Sequence, residues 1–251
     1  ELNRILGGDP SDDADDADEI DAYYRFLLDP EQLHVSGDFV YDLSEDGSAT
    51  IITLADQSMQ HVTIPDTLDG HRVVSIGEYA FAKCRALKSV IISASIAYFS
   101  ENALAGCRFE TAGPMGSGCD FEFAWTEEIP ENAFFEARNL KKVILPESIR
   151  RIGERAFDGC SSLEEIEIPD GVRVIPRMCF FECIHLRRVR LPQHLTRIEE
   201  RAFSACESLR CITFPDSLER IDHLAFNGCR SIEALELPER TTAISTTAFY
   251  G

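Results

Sequence analysis

Long apolar runs are missing from this chain of 251 residues. None approaches the ~20 consecutive residues that a membrane-spanning helix needs, which excludes a helical span. Basic residues are scarce too: 24 stand against 44 acidic ones, and the net charge of −20 repels phosphate backbones and excludes nucleic acid as a partner. Glycine and proline, at 15 and 11, are too few for collagen or low-complexity disorder, and 44% hydrophobic residues suffice for a sizeable core. His-Glu-x-x-His spacing, a Gly-x-Ser-x-Gly elbow and a glycine-rich phosphate loop are absent, so no enzyme activity and no cofactor are expected. Cys-x-x-Cys is missing as well, and with it any support for zinc. The sequence begins at Glu1 without an initiator Met or a cationic, apolar leader, so a signal peptide is either absent or removed.

What is present is a period. Ala133-Phe134, Ala156-Phe157, Cys179-Phe180, Ala202-Phe203, Ala225-Phe226 and Ala248-Phe249 follow one another at 23 residues, as do Ala80-Phe81 and Ala103-Leu104. From Ala103 to Ala133 the step is 30, the period plus a seven-residue insertion. A second column, three residues on, reads Cys84, Cys107, Ala137, Cys160, Cys183, Cys206 and Cys229. A third reads Pro146, Pro169, Pro192, Pro215 and Pro238, each after an apolar-x-apolar pair such as Ile166-Glu167-Ile168. That alternation is a short strand, and proline, which cannot donate to a ladder, ends it. Stacked periods place Val143, Ile166, Val189, Ile212 and Leu235 in one parallel ribbon with the Phe column behind it, a solenoid.

The pattern Leu-x-x-Ile-x-Ile-Pro, then Val/Ile-x-x-Ile-Gly-x-x-Ala-Phe-x-x-Cys, resembles the BspA-like (treponemal-type) leucine-rich repeats of bacterial and some protist surface proteins. Residues 160–182 match it well, and the resemblance covers roughly residues 60–251, with Val62-Thr63-Ile64-Pro65 through Ile76-Gly77 similar to the longer first repeat of that family. It implies a right-handed leucine-rich-repeat superhelix, with a short-stranded parallel sheet on one face and short helical turns on the other. It also implies a cell-surface or secreted location and, in some members, binding of host or matrix proteins. The family shares no catalytic motif and marks no ligand contacts, so no site residue carries over. The chain departs from the pattern between Cys107 and Ala133, where a glycine-rich insertion, Gly113-Pro114-Met115-Gly116-Ser117-Gly118, replaces the strand signature.

Three regions are expected. Residues 1–17 form an acidic tail, since residues 9–21 hold eight carboxylates and no base. Residues 18–59 form a cap, with a helix from Ile20, Tyr23, Tyr24, Leu27 and Leu28 and short strands around Asp46-Gly47. Residues 60–251 form the solenoid, with the insertion at about 108–125.

Nine cysteines invite a disulfide reading. Column cysteines on successive coils sit about 4.8 Å apart, however, and a disulfide needs Cβ atoms about 3.8 Å apart. They read as buried free thiols, which leans towards a cytoplasmic alternative to the surface location. The carboxylates Glu78, Glu101, Glu131, Glu154 and Glu200 precede the Phe column and read as the first turn of short helical segments, where negative charge suits the dipole.

Binding candidates lie on the ribbon. Its outward positions run Lys142, Glu165, Arg188, Cys211, Ala234 and Ile144, Glu167, Arg190, Thr213, Glu236. Opposite charges on neighbouring rungs, Glu165 with Arg188 and Glu167 with Arg190, serve the ribbon's stability or a partner. Trp125, the only Trp, is the second candidate, grouped with Phe109, Met115, Phe121 and Phe123 in the insertion. These aromatics either bind or fold inward to fill the place of the missing strand. The expected function is noncatalytic protein binding at a bacterial surface, with a protein partner such as a host or matrix protein and no metal. The alternative is a structural segment stacking through its uncapped C-terminal coil.

Overall fold

The computed structural model describes residues 32–82, 84–92, 96–104 and 107–251. The expected acidic tail and the helix of the cap lie outside the described residues. Strands His34–Ser36, Phe39–Leu43 and Ala49–Leu54 make an antiparallel meander. The turn after Leu43 needs Gly47, whose φ of 79° lies in the left-handed region. Ala49–Leu54 then pairs parallel with His71–Ile76, which joins the meander to the coils.

The long sheet is parallel throughout. Its strands stand in the order His61–Ile64, Ser89–Ile92, Phe121–Phe123, Thr111–Pro114, Lys142–Val143, Glu165–Glu167 and Arg188–Arg190. Ile166 and Val189 face each other in register and are buried, while Glu165, Glu167, Arg188 and Arg190 point out. This is the alternation that a strand with one buried face requires. A second ladder at the side joins Val174–Ile175, Arg197–Ile198, Arg220–Ile221 and Ala243–Ile244, again in parallel.

The third side was expected to carry short helical turns; no helix occurs among the described residues, and the chain passes here through tight hydrogen-bonded turns. The residue after each member of the Glu column, and after Arg177 and His223 at the equivalent positions, takes a positive φ, at Tyr79, Asn102, Asn132, Arg155, Met178, Arg201 and Leu224. A left-handed residue stops a helix before it starts, so the Glu column has no helix dipole to complement. The coils instead hydrogen-bond to one another here. Phe134, Phe157, Phe180, Phe203 and Phe226 each donate an amide to the carbonyl before the next Phe, at 2.7 to 2.9 Å. The amides between them close turns within their own coil, as from Phe135 to Asn132 O at 3.0 Å and from Ala137 to Phe134 O at 3.1 Å, so the backbone groups are satisfied alternately within and between coils.

The Phe rings form the spine. Phe134, Phe157, Phe180, Phe203 and Phe226 stack in sequence with centroids 5.2 to 5.3 Å apart and planes within 11° of parallel. The thiols of Cys107, Cys160, Cys183, Cys206 and Cys229 each donate to the Phe carbonyl of the preceding coil, as from Cys183 to Phe157 at 3.2 Å and from Cys229 to Phe203 at 3.0 Å. Burial pushes the Cys84 thiol up to about 12 and the deeper Cys160, Cys179 and Cys206 well above their ordinary value. Such thiols stay protonated and unreactive.

At the insertion, sequence order and spatial order part company. Thr111–Pro114 comes first in the chain but sits beside Lys142–Val143, and Phe121–Phe123 returns to fill the place between it and Ser89–Ile92. The long sheet thereby gains a rung that the side ladder lacks. The side ladder is interrupted in turn: Tyr98–Phe99 pairs back to His71–Ile76, and Glu128–Ile129 pairs forward to Arg151–Ile152.

Trp125 occupies that interruption, which corrects its reading as a partner contact. It is 5% exposed, its indole N–H donates to Ile96 O at 3.0 Å, and its ring stacks on Phe123 at 4.7 Å and meets Phe99 and Phe134 edge-on. Phe109 and Phe121 are buried with it, and only Met115 of the group is exposed. With no side ladder between these coils, aromatic bulk fills the gap.

Candidate functional site

The outward face of the long sheet presents Lys142, Ile144, Glu165, Glu167, Arg188, Arg190 and Thr213, all exposed. Lys142, Glu165 and Arg188 line up across neighbouring strands, with Cys211 bridged to Arg188 beyond them. Of the two expected cross-rung ion pairs, Arg188 to Glu165 forms at 2.5 Å. The second does not: Arg190 reaches Asp170 instead, at 3.9 Å, because the turn after Pro169 carries that carboxylate alongside. Glu167 has no ion partner among the described residues. An exposed pair contributes no more than ~1 kcal/mol, so these charges are not what holds the sheet together. Ile144, 40% exposed, is an apolar point among them.

The insertion loop belongs to the same face. Glu122 accepts the amides of Gly116 and Gly118 at 2.9 and 2.7 Å, and Asp120 accepts those of Glu110 and Thr111 at 2.8 and 3.1 Å. Two carboxylates thus tie down the loop that carries Met115. Glu236, the last member of the expected column, is exposed but stands outside the ladder, for residues 232–238 form no strand. The sequence shows no sign of that departure, because Ile232-Glu233-Ala234-Leu235-Glu236-Leu237 alternates like the other rungs.

A cavity of about 620 Å³ on the side ladder gathers Arg177, Arg197, Arg220, Glu199, Asp222 and His223. Its charges answer one another: Arg197 pairs with Glu199 and Asp222, Arg220 with Asp222, and Arg177 with Glu154. It offers no uncompensated charge to a ligand. Among the described residues no group of three or more His, Cys, Asp or Glu is placed to hold a metal ion.

On the turn side, Asp158 is 4% exposed beside Arg155, which also pairs with Glu101 and lies over the Phe135 ring. Burial raises the carboxyl to about 6, opposed by Arg155 and assisted by Glu136 and Glu182. The folded value lies above the unfolded one near 3.8, so the folded state binds the proton more tightly. Its contribution is full below about pH 4 and is lost as pH rises through about 6. Asp158→Asn should therefore flatten the stability profile over this window. The wild type should lose about 1–2 kcal/mol relative to the variant, after allowance for solvent screening. Urea melts of both proteins at pH 4 and 7 measure the difference, and parallel profiles would refute it.

These features define a parallel repeat solenoid with a polar outward sheet. The model of the BspA type leucine rich repeat region matches residues 53–113 and 127–251 in 6 copies, and the chain belongs to that family. A leucine rich cell surface protein of Faecalibacterium prausnitzii A2-165 is 27% identical with a TM-score of 0.59, over 80% of this chain and 53% of its own. The leucine rich repeat protein of T. pallidum is 24% identical with a TM-score of 0.59, over 79% of this chain and 90% of its own, and shows the shared fold. The chain spans about half the length of the Faecalibacterium protein. No curated protein matches it.

Proposed function

We propose that the chain is a noncatalytic protein-binding module of a bacterial cell-surface or secreted protein, meeting its partner through the outward columns of the long sheet. One observation carries this reading: Lys142, Ile144, Glu165, Glu167, Arg188 and Arg190 form a contiguous exposed surface whose side chains the core does not use. An apolar centre at Ile144 with a charged rim is the anatomy of a protein interface, and rim charges set partner choice more than affinity. Family membership and the name of the Faecalibacterium relative support the surface location.

The test is capture from cell-surface and matrix extracts by the wild type and by a variant carrying Lys142→Glu, Arg188→Glu and Arg190→Glu. Species held by the wild type should be lost from the variant while the melting temperature changes by no more than a few degrees. Equal recovery would remove this face from consideration. A second reading, stacking of copies through the last coil, draws on the exposure of Ile244, Phe249 and Tyr250. It requires a mass in light scattering that grows with concentration, and a constant monomer mass ends it.

A further inference from the structure

Main-chain hydrogen bonds join neighbouring coils in the long sheet from His61–Ile64 as far as Arg190, and beyond it they fail. Cys211 bridges Arg188 on its near side. On its far side, residues 211–214 make no backbone hydrogen bond to residues 234–237, although the period of 23 sets Ala234, Leu235 and Glu236 opposite Cys211, Ile212 and Thr213. The same two coils stay joined elsewhere. Arg220 pairs with Ala243, and the Phe226 amide donates to Ala248 O at 2.7 Å. The last coil is therefore attached at the side ladder and the turns, and parted at the sheet.

The parting leaves a cleft of about 730 Å³, within the ~300–1,000 Å³ range of ligand sites. Ile212, Phe214 and Leu237 line it, and Leu237 is 46% exposed. Asp216, Glu236 and Glu239 stand around it against one base, Arg240. Residues 211–214 hold to the sheet only through the Cys211 bridge, and a backbone edge whose N–H and C=O groups lack a neighbour is a template for a strand; this one lies beside apolar side chains under an acidic rim.

The molecule carries its own example of what fits such an opening. Phe121–Phe123 is set between two rungs of the same sheet, parallel to both, with Phe121 and Phe123 buried and Glu122 outward. We propose that the cleft between residues 211–214 and 234–237 binds an extended, basic peptide segment of a partner protein, which enters as one more parallel strand. Main-chain bonds to residues 211–214 supply the affinity. Alternate side chains divide the recognition, apolar ones beside Leu237 and basic ones towards Asp216, Glu236 and Glu239. The site uses a backbone edge beyond the surface from Lys142 to Arg190, so it stands or falls apart from the reading above.

The probe is a fluorescein-labelled, N-acetylated peptide of alternating Val and Lys, titrated against the whole chain by fluorescence anisotropy. Hydrogen exchange of residues 211–214 is followed in the same samples. Saturable binding with a Kd between about 10 and 500 μM is expected, with slowed exchange at those amides. Affinity should fall by about tenfold or more for Leu237→Arg, and equally for a peptide N-methylated at alternate residues. Leu237 is exposed, so the variant keeps the fold, which circular dichroism verifies. The doubly reversed variant Glu167→Arg with Arg190→Glu should bind the peptide like the wild type. Full affinity for the N-methylated peptide, full affinity in Leu237→Arg, or no binding below about 1 mM each overturns the proposal. So does a concentration-dependent mass that Leu237→Arg returns to monomer, which makes a second copy the occupant.

Discussion

Replacing Phe180 by Ala should lower stability by about 3–5 kcal/mol and the melting temperature by about 10 °C. Phe180 is fully buried and stacks at 5.2 Å on Phe157 and on Phe203, with planes inclined by 4° and 8°. Its amide donates to Ala202 O and its carbonyl accepts the Cys206 thiol. Removal of the ring empties a space bounded by two other coils, and neither can close on it without breaking backbone bonds to its neighbours. The loss therefore includes a cavity term beyond the transfer of the ring. In a solenoid each coil is stabilised by its interfaces with the two beside it, so one ring serves two interfaces. Phe249→Ala is the comparison: that ring is 36% exposed and stacks on Phe226 alone, and its loss should cost less than half as much. Thermal and urea melts decide. A loss below about 1 kcal/mol for Phe180→Ala would mean that the coils repack and that the Phe column is not the spine.

The columns behind this prediction are legible in the sequence because a fixed period converts spacing into alignment. Phe134 through Phe226 stack where the 23-residue step puts them, and Ile166 and Val189 meet in register. What the period does not encode is the conformation inside a coil. Arg155, Met178 and Leu224 take the left-handed region although nothing in those residue types signals it, so turns bonded between coils read as helical ones. The spatial order of Thr111–Pro114 and Phe121–Phe123 is likewise a tertiary outcome: both segments suit a strand, and only packing decides which lies nearer to Ser89–Ile92.

The candidate face divides in the same manner. Which side chains of the rungs point outward follows from alternation alone, and Lys142 through Arg190 stand where alternation puts them. Their partners do not follow from it. Glu165–Arg188 and Glu167–Arg190 are equivalent by period, yet Asp170 at the end of the strand takes Arg190 and leaves one pair formed. The parting at residues 234–237 is invisible for a related reason, since it depends on a ladder not made rather than on a residue out of place.

Trp125→Ala should have the second large effect, of a different kind. Between the coil of Phe99 and that of Ile129 the side ladder is interrupted. Trp125 stands in for it, through its ring contacts with Phe99, Phe123 and Phe134 and its bond to Ile96 O. Asn132 adds a long bond to Phe99 O at 3.4 Å and leaves its own buried Oδ1 without a partner, so it is a poor substitute. A solenoid unfolds in one step only while every interface is strong enough to couple its neighbours. Removal of the indole should take about 3–5 kcal/mol from this single interface. One calorimetric transition should then resolve into two, one for residues 32–104 and one for residues 128–251, with hydrogen exchange separating at the same boundary. Trp125→Phe keeps a six-membered ring but loses the pyrrole half and its N–H to Ile96 O, so it should cost less than the alanine variant and retain a single transition. If Trp125→Ala also melts in one step, the rung Phe121–Phe123 in the long sheet is by itself enough to couple the two parts, and the indole is filler rather than the joint.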